Sequence, residues 1–196
     1  MKKISILIIG ALTIIVGLFY ANIDKKTYIY DRNNEENNVA IGTVEEEISQ
    51  EFSVKEDTIN ALAIKGQYIG DVTNKELELQ LVDEDNNVLL EKTIKESELA
   101  NNKFTEVPFD VIKDTANKKL TLVLRSIDFD KNNGISFVKN SASTPEMKLN
   151  INDEDTDGTL VFKTITHRFD VETFVIFVLF ILYIFVFIRV LYRLFK

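Results

Sequence analysis

The chain has 196 residues, 45% of them apolar and 28% charged, with no cysteine, one histidine and a formal net charge of −8. Without cysteine there is no disulfide scaffold, thiolate metal site or cysteine nucleophile, and a single histidine rules out a multi-histidine zinc site. The acidic balance argues against nucleic-acid binding, which needs a basic footprint.

The first predicted element follows Met1-Lys2-Lys3 and runs from Ile4 to Asn22 without a charge. As a helix that stretch is about 28 Å long, enough to cross a hydrocarbon core of about 30 Å. A cleaved signal peptide would end on an A-x-A-like site; Ala21 could end it, but Phe19 stands two residues before it, where a small residue is wanted, so residues 4–22 are expected to be an uncleaved signal anchor, with a signal peptide cleaved after Ala21 as the alternative. A second apolar element, 169–192, contains the uncharged run Thr173–Ile188 and ends among Arg189, Arg193 and Lys196. Arg189 would snorkel its head group toward the interface. The positive residues outside both spans place both termini, 1–3 and 193–196, in the cytoplasm, and two crossings return the chain to its starting side. The central block is therefore expected outside the cytoplasm, in a two-pass protein of the cell membrane. Residues 23–169 hold 29 of the 31 acidic and 18 of the 23 basic residues, a net of −11, which repels anionic lipid head groups.

Within the block, residues 23–40 are rich in Asn and charge and read as a spacer, with Tyr28 and Tyr30 near the membrane interface. Residues 41–168 then read as short strands of period two. They cover 42–54, 58–66, 76–82, 88–94, 103–109, 119–127, 134–138, 146–150 and 159–167. Leu77, Leu79 and Leu81 share one strand face, as do Leu120, Leu122 and Leu124. The acidic run 83–87 joins 76–82 to 88–94 as a hairpin, and 95–102 offers one helical turn at most. Leucine faces from two sheets must meet, so the predicted fold is an all-β, jelly-roll-like sandwich flanked by two transmembrane helices.

Three features carry a family resemblance: the opening strand with Gln50 and Phe52, the hairpin around 83–87, and a late strand ending in Arg125-Ser126. Residues 47–138 resemble the jelly-roll domains of bacterial envelope proteins, among them extracytoplasmic modules of membrane glycosyltransferase-like proteins, in a layout similar to carbohydrate-binding modules. The resemblance implies a sandwich fold and a setting among envelope glycans.

Asp153, Asp155 and Asp157 precede Gly158 in a D-x-D-x-D-G run, and carboxylates at alternate positions can converge on a hard cation. An EF-hand needs Glu as the twelfth residue, where this chain has Thr164, and the flanks are strands. What is left is a calcium site in a β-loop or a solvated acidic turn. Asp128, Asp130 and Asn132 form a second alternating set, with Lys131 inside it opposing a cation. No other cofactor is expected. Tyr68 is the one candidate platform for a sugar ring, against an ordinary strand residue. His167, beside Arg168, reads as an interfacial residue, since no nucleophile or base can be paired with it. No pair of carboxylates is singled out for glycoside hydrolysis. In the first span Gly10 and Gly17 lie seven apart on one helix face, where a partner helix or the rings of the second span (Phe174, Phe177, Phe180) would pack. The sequence therefore points to a non-catalytic accessory or scaffold subunit bound to the lipid bilayer and to a polytopic membrane protein handling envelope glycans. The alternative is a tethered module that binds a glycan or other ligand, with or without calcium; an envelope hydrolase is a distant third.

Overall fold

The computed structural model describes residues 2–142 and 147–195. In chain order the elements are α1 (Lys2–Tyr20), β1 (Asn22–Tyr28), β2 (Asn38–Ala40), β3 (Ile48–Ser53), β4 (Thr58–Ile69), β5 (Glu76–Asp83), β6 (Val88–Lys95), β7 (Lys103–Lys113), β8 (Lys119–Ser126), β9 (Gly134–Asn140), β10 (Leu149–Ile151), β11 (Glu154–Thr156), β12 (Thr159–Leu160), β13 (Phe162–Phe169) and α2 (Val171–Leu194). The chain divides into two compact units, Lys26–Thr166 and the pair Met1–Lys25 with His167–Lys196.

The first unit is built on two antiparallel sheets. One is seven-stranded, ordered β1-β13-β4-β9-β12, with β7 also pairing β4 and β2 pairing β9; the other is six-stranded, ordered β11-β10-β3-β8-β5-β6. The leucine rows form the inner face of the second sheet as their period requires: Leu79 lies opposite Leu124 and Leu81 opposite Leu122, all buried. They share one core cluster with Ile59, Leu62, Ile64, Phe137 and Phe162 of the first sheet. Shared burial of both inner faces is what makes the pair a sandwich.

The turns follow side-chain chemistry. Asn86, Asn102, Asp114, Asn117, Asn152 and Asp153 all have positive φ, the conformation that Asn and Asp tolerate best among residues other than glycine. At the β5–β6 turn the Asp83 carboxylate accepts the backbone N–H groups of Asp85 and Asn87 at 3.0 and 2.8 Å and the Asn87 amide at 3.0 Å. That pattern fixes the hairpin anticipated from the acidic run.

The structure differs from the sequence reading at several points. The stretch expected as a spacer, 23–40, is partly sheet: β1 pairs β13 and β2 pairs β9. The reason is Ile29, which is buried in the core and whose N–H donates to Phe162 O at 3.2 Å, so the preceding residues are drawn into the sheet edge. Only 48–53 of the run 42–54 is strand, and 159–167 is broken at Val161 into β12 and β13. The strand expected at 146–150 appears as β10, 149–151, while Glu146 lies outside the described residues.

The second unit holds the helices. α2 has 24 residues, is apolar on all sides and has no buried residue, and it is long and apolar enough to cross a membrane. In α1 the described side chains, Ile8–Tyr20, form a shorter apolar stretch. A Cβ at Gly17 would stand 3.0 Å from Phe174 and 3.1 Å from Phe177, so the missing side chain is what lets those rings lie on α1. The Tyr20 and Phe177 ring centroids are 5.5 Å apart, and the Asp170 N–H donates to Ala21 O at 2.8 Å. Around Gly10, among the described residues, nothing lies within 4 Å of where a Cβ would be. Gly17→Leu is therefore expected to destabilise the helix pair by about 1–3 kcal/mol, as overpacking does, and Gly10→Leu to leave it unchanged. Thermal melts of the two full-length variants in one detergent check the difference.

Candidate functional site

The candidate residues fall into separate places. Asp153 sits in the β10–β11 turn at φ 61°, Asp155 lies in β11 opposite Asn150, and Asp157 lies beyond that strand. Among the described residues no group of three or more His, Asp or Glu side chains is gathered to hold a metal ion. The 128–134 loop is closed by the protein's own donors. Lys75 Nζ donates to Asp128 O at 2.6 Å, Thr43 Oγ1 to Lys131 O at 3.1 Å, and Asp130 accepts from Asn132 N–H and Asn133 Nδ2 at 2.9 and 2.8 Å.

Tyr68 is part of the scaffold. Its ring packs against the core, and its hydroxyl donates to Leu99 O at 2.5 Å, tying β4 to the turn between β6 and β7. His167 Nδ1 pairs with the Asp24 carboxylate, joining the end of β13 to the start of β1.

The aromatic cluster that the sequence did not suggest lies on the outer face of the seven-stranded sheet. Phe162 and Ile64 point into the core, so Lys163 and Ala63, their neighbours in register, point outward. Tyr30, Val138 and Val161 form a second apolar cluster there, with Tyr28 and Phe104 against it. Lys163 Nζ stands 3.6 Å over the Phe104 ring and 4.7 Å over Tyr28, and the Arg32 guanidinium is 4.7 Å over Tyr28. Tyr28, at the end of β1, and Tyr30 thus belong to this cluster and not to an unstructured spacer. Burial, then the nearby Glu35 charge, pushes the Tyr30 hydroxyl up to about 12. Each cation on a ring contributes about 0.5–1 kcal/mol at an exposed site. Because the chain's own cations stack on Tyr28 and Phe104, the cluster fastens β1 to the sheet and does not present bare rings.

The carboxylates also have local duties. Hydrogen bonds from Thr73 hold Asp71 below the usual carboxylate range, those from Asn87 do so for Asp83, and those from Asn133 and Asn132 for Asp130. A general acid needs the opposite shift. Glu96 has it. Burial pushes its carboxyl above the usual range against the lowering effects of the Ser126 hydroxyl, the Lys75 charge and the Ile135 N–H.

No family model matches the chain, and no curated protein matches it. Among solved structures it is similar to a ruminal GH26 endo-β-1,4-mannanase at a TM-score of 0.33 and 10% identity, covering 66% of this chain and 19% of that one. It is similar to Xylanase10C from Cellvibrio japonicus in complex with xylopentaose at a TM-score of 0.32 and 12% identity, covering 66% and 20%. The xylan-binding module CBM15 is matched at a TM-score of 0.32 and 8% identity, over 68% of this chain and 97% of the module. The chain thus spans about a fifth of the length of the two enzymes. At such TM-scores these likenesses decide nothing about function.

Proposed function

We propose that this chain is a non-catalytic, two-pass membrane protein whose jelly-roll-like sandwich stands outside the cytoplasm, and that it serves as an accessory or scaffold subunit of a polytopic membrane complex. The observation that carries this reading is α2, a 24-residue helix that is apolar around its circumference and has no buried residue, with Arg189 and Arg193 toward its end. A soluble domain hides such a helix, whereas a bilayer covers it. The positive residues at both ends of the chain favour a cytoplasmic location for both termini. The tie between α1 and α2 at Gly17 supports two adjacent spans, and Gly10 leaves α1 with a stripe on which a partner's helix would pack. The glycan setting comes from the resemblance of residues 47–138 to envelope jelly rolls.

The test is purification of the tagged full-length chain in a mild detergent, with mass spectrometry of what accompanies it. A polytopic membrane protein in stoichiometric amount is the expected result. A lone monomer contradicts the scaffold role and moves the weight to ligand binding by the sandwich, to be followed by glycan and calcium titrations.

A further inference from the structure

Glu96 opens the 3-10 turn Glu96–Glu98 that joins β6 to β7. In the structure the residue is 1% exposed. Four segments of the chain meet around it. Its own N–H donates to Lys75 O at 2.9 Å, on the connection before β5. Its Oε1 accepts from Ser126 Oγ, at the end of β8, at 3.1 Å, and the backbone N–H of Ile135 in β9 acts on its carboxyl. Its Oε2 finds no hydrogen-bond partner among the described residues. That oxygen is aimed at Gly134, where a Cβ would stand 3.4 Å from it and 3.6 Å from Thr43 Cγ2. Gly134 has φ +152°, so a side chain there is disfavoured by the backbone as well as by this contact.

The charged groups around the carboxyl are few. Lys75 is the cation that acts on it among the described residues, and its ammonium is turned to the Asp128 carbonyl at 2.6 Å, inside the β8–β9 loop. The Asp130 carboxylate of that loop also lies within range of Lys75. Glu98, on the same turn as Glu96, is exposed, and Ser126, Ile135, Gly134 and Thr43 bring no charge.

We infer that Glu96 is a proton-operated latch: as a neutral acid it closes this end of the sandwich, and when it ionises it draws Lys75 off the Asp128 carbonyl and loosens the start of the β8–β9 loop, whose later residues Thr43 and the Asp71 N–H still hold. A buried carboxylate oxygen without a partner costs far more charged than neutral, so ionisation must be answered either by water or by the nearest ammonium. The proton leaves to solvent, and the Lys75 donor passes from a carbonyl to the new carboxylate. The loop so loosened bears the exposed side chains of Ile127 and Phe129. Phe129 and Lys131, with Thr43, line a surface cavity of about 620 Å³, so the latch sets the shape of that cavity's wall.

The sign follows from linkage. The closed form holds the proton more tightly than the opened form, because burial raises the Glu96 affinity. Closure is therefore complete below the usual Glu value of about 4.3 and weakens as pH rises above it through the raised value, by at most about tenfold per pH unit.

The test is hydrogen exchange of the full-length chain in detergent micelles at pH 5 and pH 8, corrected for intrinsic rates. The amides of Ile127, Asn132 and Asn133 report on the loop, since they donate to Glu76 O, Asp130 Oδ1 and Asp130 O. Their protection is expected to fall from pH 5 to pH 8 in the native chain, by no more than about tenfold per pH unit. In Glu96→Gln it stays high at both, and in Lys75→Met it is low at both. An equal pH response in the native chain and Glu96→Gln, or none in the native chain, overturns the latch. If Glu96→Gln does not fold, carboxyl ¹³C shifts of the native chain decide: a Glu96 midpoint above the ordinary carboxylate range supports the latch, and one inside that range overturns it.

Discussion

Phe162→Ala is expected to destabilise the sandwich by about 3–5 kcal/mol, the range for truncating a buried aromatic side chain. Phe162 belongs to β13 in the seven-stranded sheet and Phe52 to β3 in the six-stranded sheet, and their rings meet edge to face at 5.1 Å and 86°. They are 0% and 1% exposed, so the two rings bridge the sheets inside the shared core. Removing one leaves a cavity and strips the partner of an edge-to-face contact worth about 0.5–1.5 kcal/mol beyond its buried area. The chain has no tryptophan, so urea denaturation is best followed by far-UV circular dichroism. Val111→Ala, at an exposed position, should stay within about 0.5 kcal/mol of the native chain.

The second large effect is expected at Gln50, a fully buried polar residue on β3. Its Nε2 donates to Glu51 O at 2.8 Å and Lys148 O at 3.1 Å, and its Oε1 accepts the Leu160 N–H at 2.8 Å. One side chain thus satisfies backbone groups from three stretches of chain. Gln50→Leu keeps the bulk and removes the bonds, so the Leu160 N–H is stranded in an apolar interior. Each backbone group left without a partner costs about 1–3 kcal/mol. Gln50→Glu is worse than Gln50→Leu, because it sets a buried, acceptor-only carboxylate against the two carbonyl oxygens that Nε2 serves. The order native, Leu, Glu in the denaturation midpoints checks this assignment.

Strand periodicity and turn chemistry carried much of the fold. The leucine rows of β5 and β8 were legible because one face is buried and the other is wet, which forces strict alternation. The Asn and Asp turns were legible because positive φ favours those residues. β1 was not, because an edge strand bearing Asp24, Lys25 and Lys26 resembles a solvated spacer, and charge on an edge is a normal guard against further pairing. The outer-face cluster was hidden for another reason. Residues 28, 104 and 163 come from three distant strands, and only the pairing of β13 and β7 with β4 and of β1 with β13 brings them together. Glu96 and Gln50 were opaque in the same way: nothing local marks a charged or amide side chain as buried when all its partners are remote in sequence.

The account rests on two spans with the sandwich outside the cytoplasm, and the absence of cysteine allows a clean test of it. Single-cysteine variants Asp85→Cys, in the β5–β6 turn, and Lys196→Cys, at the C-terminus, would be exposed to a membrane-impermeant maleimide in intact bacterial cells and after lysis. The account predicts that Asp85→Cys is labelled in intact cells while Lys196→Cys is labelled only after lysis. Asp85→Cys protected until lysis, or Lys196→Cys labelled in intact cells, would contradict it.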